Sequence, residues 1–116
     1  MLAAMRIPVL QRMLAAALVL AAFCAGARAD NATEGRDLAQ RLCASCHAIG
    51  SADRSPIPTA PAFRRLEPRV DLAAMTERLE EGILAGHPEM PLFKLRPHEA
   101  RALVTYLRAI QSDRPR

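Results

Sequence analysis

The chain has 116 residues, 16 basic against 12 acidic, a formal net charge of +4 and an isoelectric point near 9.6. Aromatic residues make up only 3% and there is no Trp, so no basic surface interleaved with aromatics exists to support nucleic-acid binding. The length allows one small domain and excludes a second.

Residues 1–29 read as a secretory signal peptide. Arg6 and Arg12 form a positive leader, Met13 to Phe23 is an unbroken apolar run, and Ala27-Arg28-Ala29 is an Ala-x-Ala cleavage site before Asp30. Eleven apolar residues fall short of the ~20 that a spanning helix needs, so the leader is expected to be removed after Ala29 rather than retained as an anchor. Cys24 follows an apolar run as a lipidated cysteine does, but Phe23 before it is not the small residue that such sites have. Cleavage leaves residues 30–116, an exported domain of 87 residues with 13 basic and 12 acidic side chains. The basic character of the precursor therefore says little about partners.

The mature chain keeps two cysteines, Cys43 and Cys46, within Cys43-Ala44-Ser45-Cys46-His47. Cys-x-x-Cys-His is a c-type haem attachment signal. A domain of this size has a marginal core of its own, and with only Phe63, Phe93 and Tyr106 as aromatics it needs something else at its centre. One covalent haem would supply a large flat apolar body.

In chain order, Asn31 or Thr33 can cap a first helix over Glu34 to Cys46, with Leu38, Leu42 and Cys46 on one face and Gly50 beyond it as terminator. Gly35 weakens this helix, through a frayed first turn or a close crossing with another helix. Gly50 to Pro61 is a loop stiffened by Pro56, Pro58 and Pro61. Asp71 caps a second helix with Leu72, Met75, Leu79 and Ile83 on one face, and Gly82 and Gly86 weaken its end. His87-Pro88-Glu89-Met90-Pro91 has no helical period. A third helix starts near Pro97 with Glu99 in its first turn and buries Ala100, Leu103, Val104, Leu107 and Ile110. The fold class is all-α, three main helices joined by proline-rich loops.

At the end of a helix, residues three and four apart share a face, so Cys43, Cys46 and His47 can address one object. Two thiols can close thioethers on the haem vinyl groups while the imidazole reaches the iron. A thioredoxin-like pair would need a helix N-terminus after a strand, and this motif follows a helix instead. A zinc site would have to recruit two of His47, His87 and His98, none at the usual pair spacing. For the second axial ligand the candidates are Met75, Met90, His87 and His98. Met75 lies on an apolar stripe and His98 decorates the start of the third helix. Met90 sits in a loop braced by Pro88 and Pro91, the kind of support a weak iron-thioether bond requires, and His87 is three residues away.

Cys43-Ala-Ser-Cys46-His47 after an N-terminal helix, Ala60-Pro61-Ala62-Phe63, Gly86-His87-Pro88-Glu89-Met90-Pro91 and Leu103-Val104-Thr105-Tyr106-Leu107-Arg108 together resemble a small monohaem class I cytochrome c. The resemblance covers almost all of the mature chain. It implies a cytochrome c fold around one haem c attached through Cys43 and Cys46, with His47 and Met90 as iron ligands. It implies that the Pro61 carbonyl accepts a hydrogen bond from His47, and that Gly35 meets Tyr106 where the first and last helices cross. The usual run of docking lysines is missing, since Lys94 is the only lysine. Arg64, Arg65, Arg69, Lys94 and Arg96 are the candidates for a docking rim, although such charges usually form only a solvated face.

The expected function is that of an exported, periplasmic carrier moving single electrons between redox partner proteins. It would be no enzyme, bind no nucleic acid and have no stable membrane insertion after signal cleavage. The alternatives are a haem subunit of an exported oxidoreductase complex, or a gas- or peroxide-reactive haem with a labile distal ligand.

Overall fold

The computed structural model describes residues 6–82 and 89–112, and its described residues contain no strand. Helix α1 is Arg6–Leu42, a 3-10 turn covers Phe63–Arg65, α2 is Leu72–Glu81 and α3 is Pro97–Ala109. The fold is all-α, as the apolar periodicity predicts. The chain divides into two compact units, Met1–Asp30 and Asn31–Arg116.

In the first unit the large apolar side chains stand exposed, among them Leu10, Leu14, Leu18 and Phe23. Within Pro8–Leu42 an 18-residue window is long and apolar enough to cross a membrane, by length and composition alone. The eleven residues from Met13 to Phe23 understate the apolar stretch, because Cys24 to Ala27 add small residues that a bilayer also tolerates. Eighteen helical residues reach ~27 Å against a hydrocarbon core of ~30 Å. N-terminal signal sequences meet the same criterion.

The second unit corrects two boundaries of the first predicted helix. In the full chain Asn31 and Thr33 lie inside α1, not at its start. The alanine-rich segment before them is itself helical, so their backbone N–H groups fall within a continuing ladder. The helix also stops at Leu42, four residues short of Cys46. The Cys43 and Ala44 N–H groups share the Ala39 carbonyl at 2.9 and 3.0 Å, and the Cys46 and His47 N–H groups share that of Cys43 at 3.1 and 2.9 Å. Gly50 takes no part in this ending, and the only described glycine with positive φ is Gly82. The buried face is Leu38, Ala39 and Cys43, with Leu42 half-buried.

Of the two readings of Gly35, the crossing is the one observed. A Cβ there would overlap the backbone carbonyl of Ala102 and stand 2.8 Å from the Cβ of Tyr106 on α3. Tyr106 is buried and its hydroxyl donates to the Ile49 carbonyl at 2.6 Å, tying α3 to the segment after His47.

Asp71 caps α2 as predicted, its Oδ1 accepting from the Ala73 and Ala74 N–H groups at 2.8 and 3.4 Å. Leu72 and Leu79 are buried and Met75 is half-buried against the core. Gly82 ends the helix in the left-handed region, φ 84°, with its N–H donating to the Arg78 carbonyl at 3.0 Å. Ile83, Gly86, His87 and Pro88 lie outside the described residues. The Leu95 N–H donates to the Leu79 carbonyl at 2.9 Å, so the segment entering α3 is fastened to the last turn of α2.

Pro97 opens α3, and the Glu99 carboxylate accepts from the Arg96 N–H at 3.0 Å and the Arg96 guanidinium at 2.7 Å. The buried face comprises Ala100, Ala102, Leu103, Val104, Tyr106 and Leu107, while Ile110 is only half-buried. Helix α3 packs against α2 and, through Ala102 and Tyr106, against α1, so the core lies between three helices.

Candidate haem site

The turn after α1 sets the first donors. Cys43 is 9% exposed, and burial, then the neighbouring Cys46, pushes its thiol up to about 11. Such a thiol stays protonated at neutral pH. A redox-active pair needs the reverse, a thiol lowered by a helix N-terminus or a cation, and here the pair follows a helix C-terminus. Cys43, Cys46 and His47 lie in one turn, as the motif requires, but that turn is beyond the helix rather than its last winding.

The loop after His47 is held by side chains as well as by its prolines. Asp53 accepts from the N–H groups of Ile49 and Gly50 at 3.0 and 2.9 Å, and the Ser55 hydroxyl accepts from that of Ala48 at 2.9 Å. The Arg64 guanidinium donates to the Asp53 carbonyl at 2.8 Å, and the Phe63 N–H donates to the Ala48 carbonyl at 2.9 Å. This bracing carries the Pro61 carbonyl to 2.8 Å from His47 Nδ1. A carbonyl can only accept, so Nδ1 carries the proton and Nε2 keeps a free lone pair. The Phe63 ring lies against the imidazole, centroids 4.9 Å apart and planes 36° from parallel.

These residues face a cavity of about 250 Å³. Its wall includes Cys43, Cys46, His47 and Pro61 from the first half of the chain and Met90, Pro91, Phe93 and Leu95 from the second. Leu42, Leu66, Val70, Leu79, Leu103 and Leu107 supply apolar surface. All five residues singled out in the sequence, Cys43, Cys46, His47, Pro61 and Met90, thus meet at one place. Met75 also lines the cavity. His98 does not: it is exposed, 3.7 Å from Glu34. His87 lies outside the described residues. Among the described residues no three His, Cys, Asp or Glu side chains converge as a zinc site would require.

Two residues at or behind this wall escaped the sequence reading. Arg78 lines the cavity from α2, three residues after Met75, and the helical period could have found it. Gln111 makes four hydrogen bonds to segments up to 48 residues away, for which no local signal exists.

The donor set fits a haem. Two thiols suit covalent attachment, an imidazole with its Nδ1–H engaged could present Nε2 to a metal, a thioether lies on the same wall, and most of the surrounding wall is apolar. Fold and cavity together define an all-α haem-binding domain of the c type.

A family model described as cytochrome C oxidase, cbb3-type, subunit III matches residues 30–107. Among curated proteins, cytochrome c-552 of Bradyrhizobium diazoefficiens is 33% identical over 94 residues, covering 81% of this chain and 88% of that protein. No solved structure matches. The chain belongs to the cytochrome c family: it is a haem electron-transfer protein, and its cofactor is haem c, bound covalently through cysteine.

Proposed function

We propose that this chain is a periplasmic monohaem electron carrier. On this reading residues 1–29 are a signal peptide cleaved after Ala29, and residues 30–116 are the functional domain. The family match beginning at residue 30 and the division of the chain at Asp30 support that boundary. Cys43 and Cys46 would attach the haem, and His47 and Met90 would be its axial ligands. The observation that carries the proposal is the convergence of these four side chains on one apolar cavity, with His47 held at Nδ1 by Pro61.

Haem c supplies a one-electron Fe(II)/Fe(III) couple, and the protein's residues do the rest. Pro61 and Phe63 fix the imidazole plane. The apolar wall from Leu42 to Leu107 excludes water, which favours the less charged ferrous site. Met90 would supply the second protein ligand, and a thioether there would raise the potential relative to a second histidine. A closed coordination shell moves electrons without binding substrate, so the partners would be redox proteins that donate and accept them.

The test is direct. Expressed with haem-attachment machinery, the mature chain should gain the mass of one haem and colour, and the reduced protein should bind carbon monoxide slowly at neutral pH. A colourless protein without added mass would overturn the assignment, and rapid carbon monoxide binding would favour a gas- or peroxide-reactive haem with a labile Met90. A second reading, a haem subunit of an oxidoreductase complex, is favoured by the oxidase-subunit description of the matching family. Stable co-purification with an integral membrane oxidase would select it over the free carrier.

A further inference from the structure

We propose that Gln111 is a positioning residue for the His47 imidazole, which it controls from the far end of α3. The inference rests on the reading of His47 as an iron ligand. Gln111 follows α3 and is half-buried. Its Oε1 accepts from the N–H groups of Leu66 and Glu67, both at 3.0 Å. Its Nε2 donates to the Phe63 carbonyl at 2.7 Å and to the Leu107 carbonyl at 2.6 Å. A primary amide has two donor hydrogens and two acceptor lone pairs, so this side chain is saturated. Three of its four bonds go to residues 63–67 and the fourth anchors it to α3. Ser112 reinforces the grip, its N–H and hydroxyl both donating to the Arg64 carbonyl at 3.0 and 3.1 Å.

The gripped segment is the one that orients His47. It begins two residues after Pro61, whose carbonyl takes the Nδ1 proton, and it carries the Phe63 ring that lies against the imidazole. On its other side the Phe63 N–H reaches back to Ala48, next to His47. The His47–Pro61 bond is therefore held between two fixed points, the turn after α1 and the Gln111 amide. The hydrogen bond at the outer nitrogen of a metal-bound imidazole sets its tautomer, rotation and basicity. Anything that fixes the 61–67 segment consequently acts on the iron, although Gln111 itself is not among the residues of the cavity wall.

The experiment uses the haem-loaded protein, labelled with 15N-histidine and reduced. A histidine Nδ1–H shifted by the haem ring current should exchange slowly with solvent in the wild type. In Gln111→Met, which keeps the volume and removes all four bonds, that exchange should accelerate about tenfold, with a measurable change of reduction potential. Asp71→Ala is the control: it removes the α2 cap, whose hydrogen bonds go to Ala73 and Ala74 and not to residues 61–67, and should leave the exchange unchanged. Unaltered exchange in Gln111→Met, or equal acceleration in Asp71→Ala at a matched loss of thermal stability, would overturn the proposal. Absence of haem-shifted, non-exchangeable imidazole ring C–H protons in the wild type would instead refute His47 as ligand, which keeps the two failures apart. Should Gln111→Met fold poorly, Gln111→Glu replaces the donating nitrogen with an oxygen facing two carbonyls and should give the same acceleration.

Discussion

Gly35 and Tyr106 are 71 residues apart in sequence, yet a Cβ on the glycine would stand 2.8 Å from that of the tyrosine and would overlap the Ala102 carbonyl. Substitution by Ala would gain up to ~1 kcal/mol of intrinsic helix propensity. The obstruction is backbone as well as side chain and cannot rotate away, so overpacking should win at ~1–3 kcal/mol. Thermal unfolding of the haem-loaded Gly35→Ala protein should show a midpoint several degrees lower.

Tyr106→Phe isolates the hydroxyl. Its loss leaves the Ile49 carbonyl without its 2.6 Å partner in buried surroundings, a cost of ~1–2 kcal/mol. Denaturant titration should show a lower midpoint with unchanged slope.

Met90→Ala tests the proposed thioether ligand. The weak iron-thioether charge-transfer band should vanish, the reduction potential should fall, and carbon monoxide should bind quickly to the reduced protein. Persistence of the band would point to Met75, which lines the same cavity.

Arg78→Gln removes a positive charge from the cavity wall. A cation there would oppose the extra positive charge of the ferric state. Its loss should lower the potential by on the order of tens of millivolts, less at high salt, since Arg78 is an exposed residue. Redox titration at two ionic strengths measures both effects.

Acid sensitivity should include a contribution from the start of α3. Hydrogen bonding to the Arg96 side chain and then to its backbone N–H holds the Glu99 carboxyl at about 2, below its ordinary 4.5. A depressed carboxylate stabilises the fold above its ordinary value and loses that contribution as pH falls from 4.5 toward 2. Arg96 is 72% exposed, so solvent and salt screen the pair. Glu99→Gln should lower stability modestly at neutral pH and flatten the profile across that window, which an acid titration of the unfolding midpoint would show.

Much of this molecule is legible in its sequence because the signals are local. Asp71 and Pro97 mark helix starts by chemistry that operates within four residues, and the structure places the α2 cap and the α3 start there, whereas Gly82, expected only to weaken a helix reaching Ile83, stops it after Glu81. The Cys43 to His47 spacing likewise gathers donors into one turn. The errors are local as well. Asn31 and Thr33 are good caps in isolation, but in the full chain α1 starts at Arg6 and runs through them. Cys46 falls outside α1 because the Ala39 and Cys43 carbonyls each take two N–H groups, a choice of backbone geometry that residue types do not encode. The contacts of Gln111 and the position of Arg78 on the cavity wall depend on tertiary packing, and the Pro61 carbonyl was anticipated through family resemblance alone.

The cavity has a thermodynamic consequence for how the protein comes into being. Leu42, Leu66, Val70, Leu79, Leu103 and Leu107 on its wall would be buried by a bound haem, in a domain whose whole net stability is on the order of 5–15 kcal/mol. Haem delivery would therefore add to the folding free energy as well as to the chemistry, and loading and folding would be coupled in the cell.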